Sequence, residues 1–214
     1  MRLHGYFRSS AAWRVRIALN LKGLDAEHAF HHLRHGGQRA PDFLRLNPQG
    51  LVPALETDDG PGGGAVLTQS LAICEWLDET HPAPPLLPGD ARQRARIRAF
   101  AQAIACDIHP VQNLKVLARL RGLGLPEAEV TGWARWIIAD GLAACEALLA
   151  GEPGPFCFGD APTLADLCLV PQLANGRRFG VALEGLPRLL AAEAACAALP
   201  AFRAAAPDRQ ADAE

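Results

Sequence analysis

The sequence has little of what secreted, membrane-spanning or nucleic-acid-binding proteins need. No uncharged apolar run approaches about 18 residues, and the opening MRLHGYF lacks the apolar core of a signal peptide, so we expect neither a spanning helix nor secretion. Lysine is scarce, since 19 of the 21 basic residues are arginine, and the 23 acidic residues bring the formal net charge to −2. A chain this close to neutrality has no general attraction to nucleic acid or to an anionic membrane.

The cysteines lack the spacing of a metal site or a disulfide framework. No two of the six form a C-x-x-C pair, and a chain of 214 residues can bury a core without cross-links. We therefore predict six buried, reduced thiols in a cytoplasmic protein. Four histidines cluster where a strand pattern runs into a loop, without cysteine or acid partners, and we predict no metal site there. These are His28, His31, His32 and His35.

The first 80 residues alternate between strand and helix patterns. Short apolar stretches predict strands, and apolar side chains at helical spacing predict helices. The predicted strands are 2–7, 27–31, 53–57 and 65–68, and the predicted helices are 11–22, 41–46 and 69–79. The glycine-rich stretch 60–64 joins two hairpin strands and lacks the G-K-[ST] ending of a phosphate loop. The order is βαβα followed by ββα.

The second half of the chain reads as helices only. Four prolines in PAPPLLPGD, residues 82–90, exclude regular structure. We predict a first domain at 1–82, a linker at 83–90 and an all-helical domain at 91–214. Its helical patterns cover 91–120, with an interruption at Pro110, then 127–150, 163–176 and 187–199. We expect the polar tail after Pro207 to be frayed.

Two helices of this half carry more specific predictions. In 127–150 one stripe is predicted to face the core. It comprises Trp133, Ile137, Gly141, Ala144 and Leu148. At the start of 163–176, Thr163 is a predicted N-cap and Asp166 lies three residues further, where an acid can reach back to the cap amide. We favour this capping box over a catalytic role for Asp166.

The most informative segment is RSSAAWRVRIAL, residues 8–19, where a strand ends, two serines follow and a helix begins. Ser9 and Ser10 lie where orphan backbone N–H groups point outward and the helix dipole favours an anion. A hydroxyl there can also donate a hydrogen bond to a thiolate, and together these effects lower a thiol pKa from about 8.5. The alternative is that Ser10 only caps the helix.

Two further segments are suited to a peptide ligand. NPQGLVPAL enters a strand through Val52-Pro53, and a proline at a strand start exposes the backbone N–H and C=O of the preceding residue. Gln69 and Ser70 open the next helix, where an amide and a hydroxyl at a helix N-terminus can cradle a carboxylate.

In this order and spacing the three segments resemble the zeta class of the glutathione transferase family. SSAAWRVRIALNLKG is similar to the class signature S-S-C-x-W-R-V-R-I-A-L, and NPQGLVPAL, QSLAICEWL, DIHPVQN and DLCLVPQLANGRRFGV also resemble that class. The resemblance covers nearly the whole chain. It implies an α/β plus all-α architecture, with an N-terminal thioredoxin-like domain and a C-terminal helical domain, in a homodimer. The implied activity is metal-free, glutathione-dependent cis–trans isomerisation of maleylacetoacetate or maleylpyruvate.

The resemblance also implies roles for individual residues in binding and activating glutathione. Ser9 is expected to activate the thiol, with Ser10 at the helix start. The remaining predicted glutathione ligands are Gln38, at the glycyl end, and Val52, Pro53, Gln69, Ser70, Asp107 and Asn113.

Such a substrate is a small keto acid with two carboxylates, and arginine holds carboxylates well through bidentate pairing. Arg8, beside the serines, is one predicted carboxylate ligand, and the resemblance implies that Arg178 is the second. Arg177 is the less favoured of its pair, and an interaction with the helix C-terminus is the alternative for Arg178. His109 is a candidate general acid or base, beside which a structural role at the Pro110 interruption stays open.

One position departs from the class pattern. A cysteine usually follows the serine pair, and this sequence has Ala11 there. The resemblance implies that this cysteine assists the isomerisation without carrying it, which leaves Ser9 and Ser10 to activate the thiol. Two alternatives remain open: a transferase or dehalogenase acting on small α-halo acids, and a non-catalytic binding module.

Overall fold

The protein is described by a computed structural model covering residues 1–58 and 64–214. The elements in chain order are β1 (Arg2–Gly5), α1 (Ser10–Lys22), β2 (Glu27–Phe30), α2 (Pro41–Leu46), β3 (Ala54–Glu56), β4 (Val66–Thr68), α3 (Ser70–Thr80), α4 (Ala91–Gln102), α5 (Leu114–Gly122), α6 (Glu127–Leu148), α7 (Leu164–Arg178), α8 (Pro187–Ala197) and α9 (Pro200–Ala205). The predicted glycine-rich connection between β3 and β4 falls, apart from Gly64, outside the described residues.

The chain divides into two compact units. One is Met1–Leu86 together with Ala197–Glu214, and the other is Leu87–Cys196. The sequence-based boundaries place all of 91–214 in one domain, so the structure differs at the C-terminus. The reason is packing: α9 lies against α1 and buries Phe202 and Ala205.

The first unit contains a four-stranded sheet in the order β2-β1-β3-β4. β1 runs parallel to β2 and antiparallel to β3, and β3 runs antiparallel to β4. His4 pairs with Ala29 of β2 and Ala54 of β3, and Ala54 pairs in turn with Thr68 of β4. The carboxyl ends of β1, β2 and β4 and the amino end of β3 therefore meet at one edge, which we call the upper edge. This is the expected thioredoxin-like arrangement.

The predicted frayed tail is wrong, because the C-terminal residues bind back onto the first unit. Asp212 Oδ2 accepts a hydrogen bond of 2.9 Å from the backbone N–H of Phe7. The carboxylate of Glu214 contacts His32 and Arg34. A polar composition is typical of a loose terminus, but these side chains find specific partners that only the folded chain brings near.

The second unit is helical, and its first long helix breaks earlier than predicted. α4 ends at Gln102, the segment Ala103–Ile108 forms a π-helix, and α5 begins only after a turn. Across from this segment, a Cβ on Gly141 of α6 would lie 2.3 Å from the side chain of Ile108. The glycine therefore provides the space into which the π-helical turn packs. Such turns occur often at functional sites.

The predicted core stripe of α6 is one position out of register. The buried residues of α6 are Val130, Ala134, Ile138, Leu142 and Cys145. Of the predicted stripe, Ala144 and Leu148 are exposed, and the other three positions are only half-buried. Neighbouring positions on a helix lie about 100° apart. Both faces of α6 are apolar enough that periodicity alone does not choose between them.

The predicted capping box at the start of α7 is confirmed. Asp166 Oδ2 accepts from the backbone N–H of Thr163 at 2.8 Å, and Oδ1 accepts from the backbone N–H of Cys157 at 2.9 Å. The carboxyl group is fully buried, and burial raises its pKa against the opposing effect of these hydrogen bonds. Its role is to start the helix and to fix the preceding loop.

Candidate active site

The predicted ligands of the first unit lie in loops that meet at the upper edge of the sheet. This follows from the strand register, because each of these loops leaves or enters a strand at that edge. They are Arg8 and Ser9 after β1, Gln38 after β2, Val52 and Pro53 before β3, and Gln69 and Ser70 after β4.

Ser9 caps α1, and Ser10 is the first helical residue. The Ser9 Oγ accepts a hydrogen bond of 3.2 Å from the backbone N–H of Ala12, which leaves its hydroxyl proton available to a ligand. The alternative that placed the cap at Ser10 is therefore shifted by one residue. The first turn of α1 contains no acidic side chain, so no carboxylate of that turn neutralises the positive end of the helix.

An apolar cluster beneath the upper edge anchors these loops. It joins Tyr6 and Phe7, which lead to the serines, with Phe43 of α2 and with Val52 and Ala54 at the start of β3. The guanidinium of Arg8, the next residue in the chain, lies 6.0 Å from the centre of the Phe7 ring. The loops therefore rest on a packed base.

The Val52-Pro53 peptide bond is cis. Strand pairing of β3 begins at Ala54, so the backbone of Val52 lies outside the sheet ladder. The preceding turn is held by Asn47, whose side-chain amide donates to the carbonyl of Leu51 at 2.7 Å. The peptide unit of Val52 therefore lies at the upper edge, beyond the last paired residue of β3.

The turn that carries Gln38 lies directly against this loop. Gly50 adopts a φ of 61°, and a Cβ there would lie 3.1 Å from the carbonyl oxygen of Gln38. The positive φ favours glycine, and a side chain there would push the neighbouring turn by a few tenths of an ångström. The Gln38 side-chain oxygen is buried and has no hydrogen-bond partner among the described residues, which is a position suited to a ligand donor.

The start of α3 carries backbone strain and an amide link. Gln69 has a φ of 69°, the only positive φ of a non-glycine residue in the described part of the chain. Such conformations cost roughly 1–3 kcal/mol and cluster at functional sites. Its side-chain amide donates to Gln49 Oε1 at 2.9 Å, which ties α3 to the loop before β3.

Sequence reasoning missed a buried arginine beneath this helix start. Arg14 of α1 is 1 % exposed, and one of its terminal nitrogens donates to Ser70 Oγ at 3.2 Å. Its Nε and second terminal nitrogen have no partner among the described residues. A buried positive charge at this place favours a carboxylate ligand. No sequence signal distinguishes Arg14 from the neighbouring arginines of the segment.

Three predicted site residues of the second unit, Asp107, His109 and Asn113, lie in the segment between α4 and α5. Asp107 is exposed in the π-helix, and His109, the first residue after the π-helix, is half-buried. Asn113 caps α5 through its side-chain oxygen, so it already has a structural role. The indole N–H of Trp133 donates to the carbonyl of Val111 at 3.0 Å. This hydrogen bond fixes the turn between the π-helix and α5.

Arg177 and Arg178 end α7 in different surroundings. Both terminal nitrogens of Arg177 donate to the carboxylate of Glu193 on α8, and this hydrogen-bonded pair raises the pKa of Arg177. Arg178 is exposed, donates to Asn175 Oδ1 and lies 5.2 Å from the centre of the Phe179 ring. Because Glu193 occupies the bidentate face of Arg177, the geometry favours Arg178 as a carboxylate ligand.

Most of the protein's own cysteines lie in the core. Five are buried, and burial raises the pKa of Cys145 to about 12 and also raises the pKa of Cys157 and Cys196. Cys106, on the π-helix, is exposed, so the prediction of six buried thiols is wrong at this position. All six are free thiols.

The histidine cluster forms ring contacts. His31 Nε2 lies 2.9 Å from Nδ1 of His4, and the rings of His32 and His35 stack with centroids 3.8 Å apart. Within residues 1–58 and 64–214, no group of three or more His, Cys, Asp or Glu side chains is arranged to hold a metal ion. In the same residues, no helix combines the length and apolarity needed to cross a membrane.

The first unit also contains a cavity of about 440 Å³ between α1, β2 and the C-terminal residues. Its lining includes Arg16, His28 and Ala205 and none of the predicted site residues. The upper edge of the sheet, where the predicted ligands meet, is therefore a separate feature from this cavity.

Comparison with known proteins agrees with this geometry. Residues 8–80 match the model of the glutathione S-transferase N-terminal domain, and residues 134–204 match that of the C-terminal domain. A maleylpyruvate isomerase from Ralstonia sp is 48 % identical over 99 % of both chains.

Two solved structures are similar over essentially their full length. A holo maleylpyruvate isomerase, described as a bacterial zeta-class glutathione S-transferase, has a TM-score of 0.95 and 47 % identity, with complete coverage of both chains. A maleylacetoacetate isomerase from Anaeromyxobacter dehalogenans, with glutathione bound in its active site, has a TM-score of 0.91 and 49 % identity, and the match covers 100 % of this chain and 97 % of that one. Together with the loops at the upper edge, these matches show that the chain belongs to the zeta class of the glutathione S-transferase family.

Proposed function

We propose that the protein is a glutathione-dependent cis–trans isomerase that converts maleylacetoacetate or maleylpyruvate into its fumaryl isomer. The observation that carries the proposal is the convergence of the Ser9 cap, the Val52 peptide unit and the Gln69–Ser70 helix start at one edge of the sheet. The names of the similar proteins supply the reaction and the two substrates.

The residues of the first unit fit glutathione. The buried, unpartnered oxygen of Gln38 can accept a hydrogen bond from the peptide, and the free backbone of Val52 can pair with it as a strand would. The start of α3, with Ser70 above the buried charge of Arg14, suits a carboxylate. Each end and the middle of an extended tripeptide thus has a complementary group.

The thiol end lies at the start of α1. When bound there, glutathione would supply a thiolate for reversible addition to the carbon–carbon double bond of the substrate: the resulting single bond can rotate, and expulsion of the thiolate restores the double bond with no net redox change. The Ser9 hydroxyl donates a hydrogen bond to the thiolate sulfur, and the N-terminus of α1, whose first turn contains no acidic side chain, adds positive potential, so both lower the thiol pKa. Arg8 and Arg178 hold the substrate carboxylates, and His109 is the candidate proton carrier.

The test is turnover of freshly prepared maleylpyruvate and maleylacetoacetate, followed by the loss of enol absorbance with and without glutathione. We expect glutathione-dependent turnover of at least one, and the ratio of the two kcat/KM values identifies the substrate. Absence of turnover with both would overturn the proposal, and activity on α-halo acids instead would identify the transferase alternative.

The two arginines at the end of α7 form a matched pair for testing the carboxylate role. We expect Arg178→Ala to raise KM for the keto acid about tenfold or more, since a charged hydrogen bond contributes about 1.5–3 kcal/mol. Arg177→Ala removes the contact with Glu193 and should leave KM unchanged. Equal effects of the two substitutions would exclude a specific role for Arg178.

We also propose that the protein acts as a homodimer in the cytoplasm. Support comes from the class resemblance for the dimer and from six free thiols for a reducing compartment. Light scattering should give twice the chain mass of 22.8 kDa. A monomeric mass would contradict the first part, and recovery of the protein outside the cytoplasmic fraction would contradict the second.

A further inference from the structure

The turn that presents Ser9 is held from outside by two charged side chains. The turn spans residues 6–9 and closes with a hydrogen bond of 3.0 Å from the backbone N–H of Ser9 to the carbonyl of Tyr6. One of the two charged side chains is Arg16, two turns into α1. The other is Asp212, which lies near the C-terminus.

Arg16 binds the carbonyl side of the turn. Its terminal nitrogens donate to the carbonyl of Phe7 at 2.9 Å and to that of Tyr6 at 3.4 Å. Its Nε donates to the carbonyl of Ala205 at 3.0 Å, at the end of α9. The side chain is 4 % exposed, so water competes little for these contacts.

Asp212 binds the other side of the same peptide segment. Its Oδ2 accepts from the backbone N–H of Phe7 at 2.9 Å. Burial lowers the pKa of Arg16 to about 10, and the negative charge of Asp212 opposes that shift. Arg16 therefore stays charged at neutral pH, with Asp212 as its nearby counter-charge.

We propose that Arg16 and Asp212 are positioning residues that together fix the backbone of Phe7 and so set the direction of the Ser9 hydroxyl. Asp212 holds the N–H of Phe7 and Arg16 holds its carbonyl, two residues before Ser9. We call this pair the Phe7 clamp. The inference rests on the proposed function, in which Ser9 activates the glutathione thiol.

The clamp gives the C-terminal residues a part in the chemistry that their position in the chain does not suggest. A misplacement of about 1 Å can reduce a catalytic rate about 100-fold. Release of the Phe7 N–H frees one side of the turn while Arg16 still holds the other. We therefore expect a partial loss of activity, with a higher pKa of the bound thiol.

The test uses the full chain with Asp212→Ala, Asp212→Asn and the control Asp208→Ala. Asp208 is an exposed acid of the same tail, 3.8 Å from its neighbour Arg209. We expect Asp212→Ala to lower kcat/KM about tenfold and to move the acid limb of its pH profile to higher pH. Asp212→Asn keeps an oxygen that can accept from Phe7 and should recover most of the loss, and the control should match the wild type.

A purely structural role predicts a different pattern. If Asp212→Ala keeps the wild-type kcat/KM and pH profile, or loses activity only in proportion to the unfolded fraction measured by circular dichroism, the clamp is not a positioning device. Activity loss with a shifted pH profile in fully folded protein supports it.

A second readout separates this inference from the proposed function. If the wild type turns over neither keto acid, the proposed function fails, but the ultraviolet absorbance of the thiolate of bound glutathione still reports the thiol pKa. A higher pKa of the glutathione thiol in Asp212→Ala than in the wild type and in Asp208→Ala supports the clamp. The same pKa in all three, or no thiolate band in the wild type, overturns it.

Discussion

Two helix starts in this protein use the same capping chemistry with opposite consequences. At α1, Ser9 accepts one backbone N–H, and no acid follows in the first turn. At α7, the carboxylate of Asp166 accepts hydrogen bonds from the N–H and hydroxyl of Thr163, from the N–H of Cys157 and from the thiol of Cys196. One helix end keeps its positive potential and the other is neutralised and fully buried.

The comparison indicates how a fold separates stability from activity. A helix start that is fully satisfied internally stabilises the structure and has nothing left to bind a ligand. A helix start with a hydroxyl cap and no acid is less stable by itself but can attract a thiolate. The predictions below test whether α7 contributes mainly to stability and α1 mainly to activity.

The largest effect is expected at the start of α7, where Asp166 binds the backbone N–H groups. Asp166→Ala leaves buried N–H groups of Thr163 and Cys157 without partners, at about 1–3 kcal/mol each, so the free energy of unfolding should fall by about 3–4 kcal/mol. Urea unfolding followed by circular dichroism measures it. At a temperature where the variant is folded, kcat should equal that of the wild type, and a loss of kcat in folded protein would break the comparison.

The next largest effect is expected at the start of α1, where Ser9 is the cap and no acid follows. Ser9→Ala should lower kcat/KM about 100-fold, as loss of one donor to a developing or stabilised anion does, while losing about 1 kcal/mol of cap stability. Steady-state kinetics and thermal unfolding measure the two parts.

Asp90→Ala is the matched control, because Asp90 caps α4 by accepting from the N–H of Gln93 at 2.9 Å. It should lose similar stability and no activity. An equal loss of activity in both variants would mean that Ser9 acts only as a cap.

A smaller effect should follow when an acidic side chain is added to the first turn of α1. Ala11→Glu places a carboxylate in the first turn of α1, where it neutralises the potential that favours a thiolate. We expect the pKa of the thiol of bound glutathione to rise. The affinity for glutathione, measured by calorimetry, should fall about tenfold. Ala11→Gln, which adds similar bulk without charge, should bind nearly as well as the wild type, and equal losses would indicate steric crowding instead.

The smallest effect concerns pH. The pKa of Asp166 is raised in the folded state, so its contribution to stability is fully present below the unfolded pKa and is lost as pH rises through the folded one. The free energy of unfolding of the wild type, relative to Asp166→Asn, should therefore decrease as pH rises from about 4. A constant or increasing difference over a urea series at several pH values would contradict the raised pKa.

Much of the fold was predictable because its signals are local. The strands and α-helices of residues 1–86 lie within two residues of their predicted bounds, and the capping box at Thr163 is read directly from spacing. The segments that identify the family are also local, since each lies at the start, the end or an interruption of a helix or a strand.

The errors arise where two faces or two partners compete. The stripe of α6 is misplaced because both candidate faces are apolar, and Cys106 is exposed because the π-helix turns it outward. The tail was predicted to fray because nothing in its composition shows that Asp212 binds Phe7.

The sequence by itself determined the order of elements, the serine-capped start of α1, the loop that enters β3 through Val52-Pro53 and the family to which they point. Only the tertiary structure decided that Arg14 lies under Ser70 and that Arg16 and Asp212 hold the turn before Ser9. Local pattern fixes which backbone groups a helix end or a strand end leaves unpaired. Which distant charge is buried beside them depends on packing, and no spacing in the chain records it.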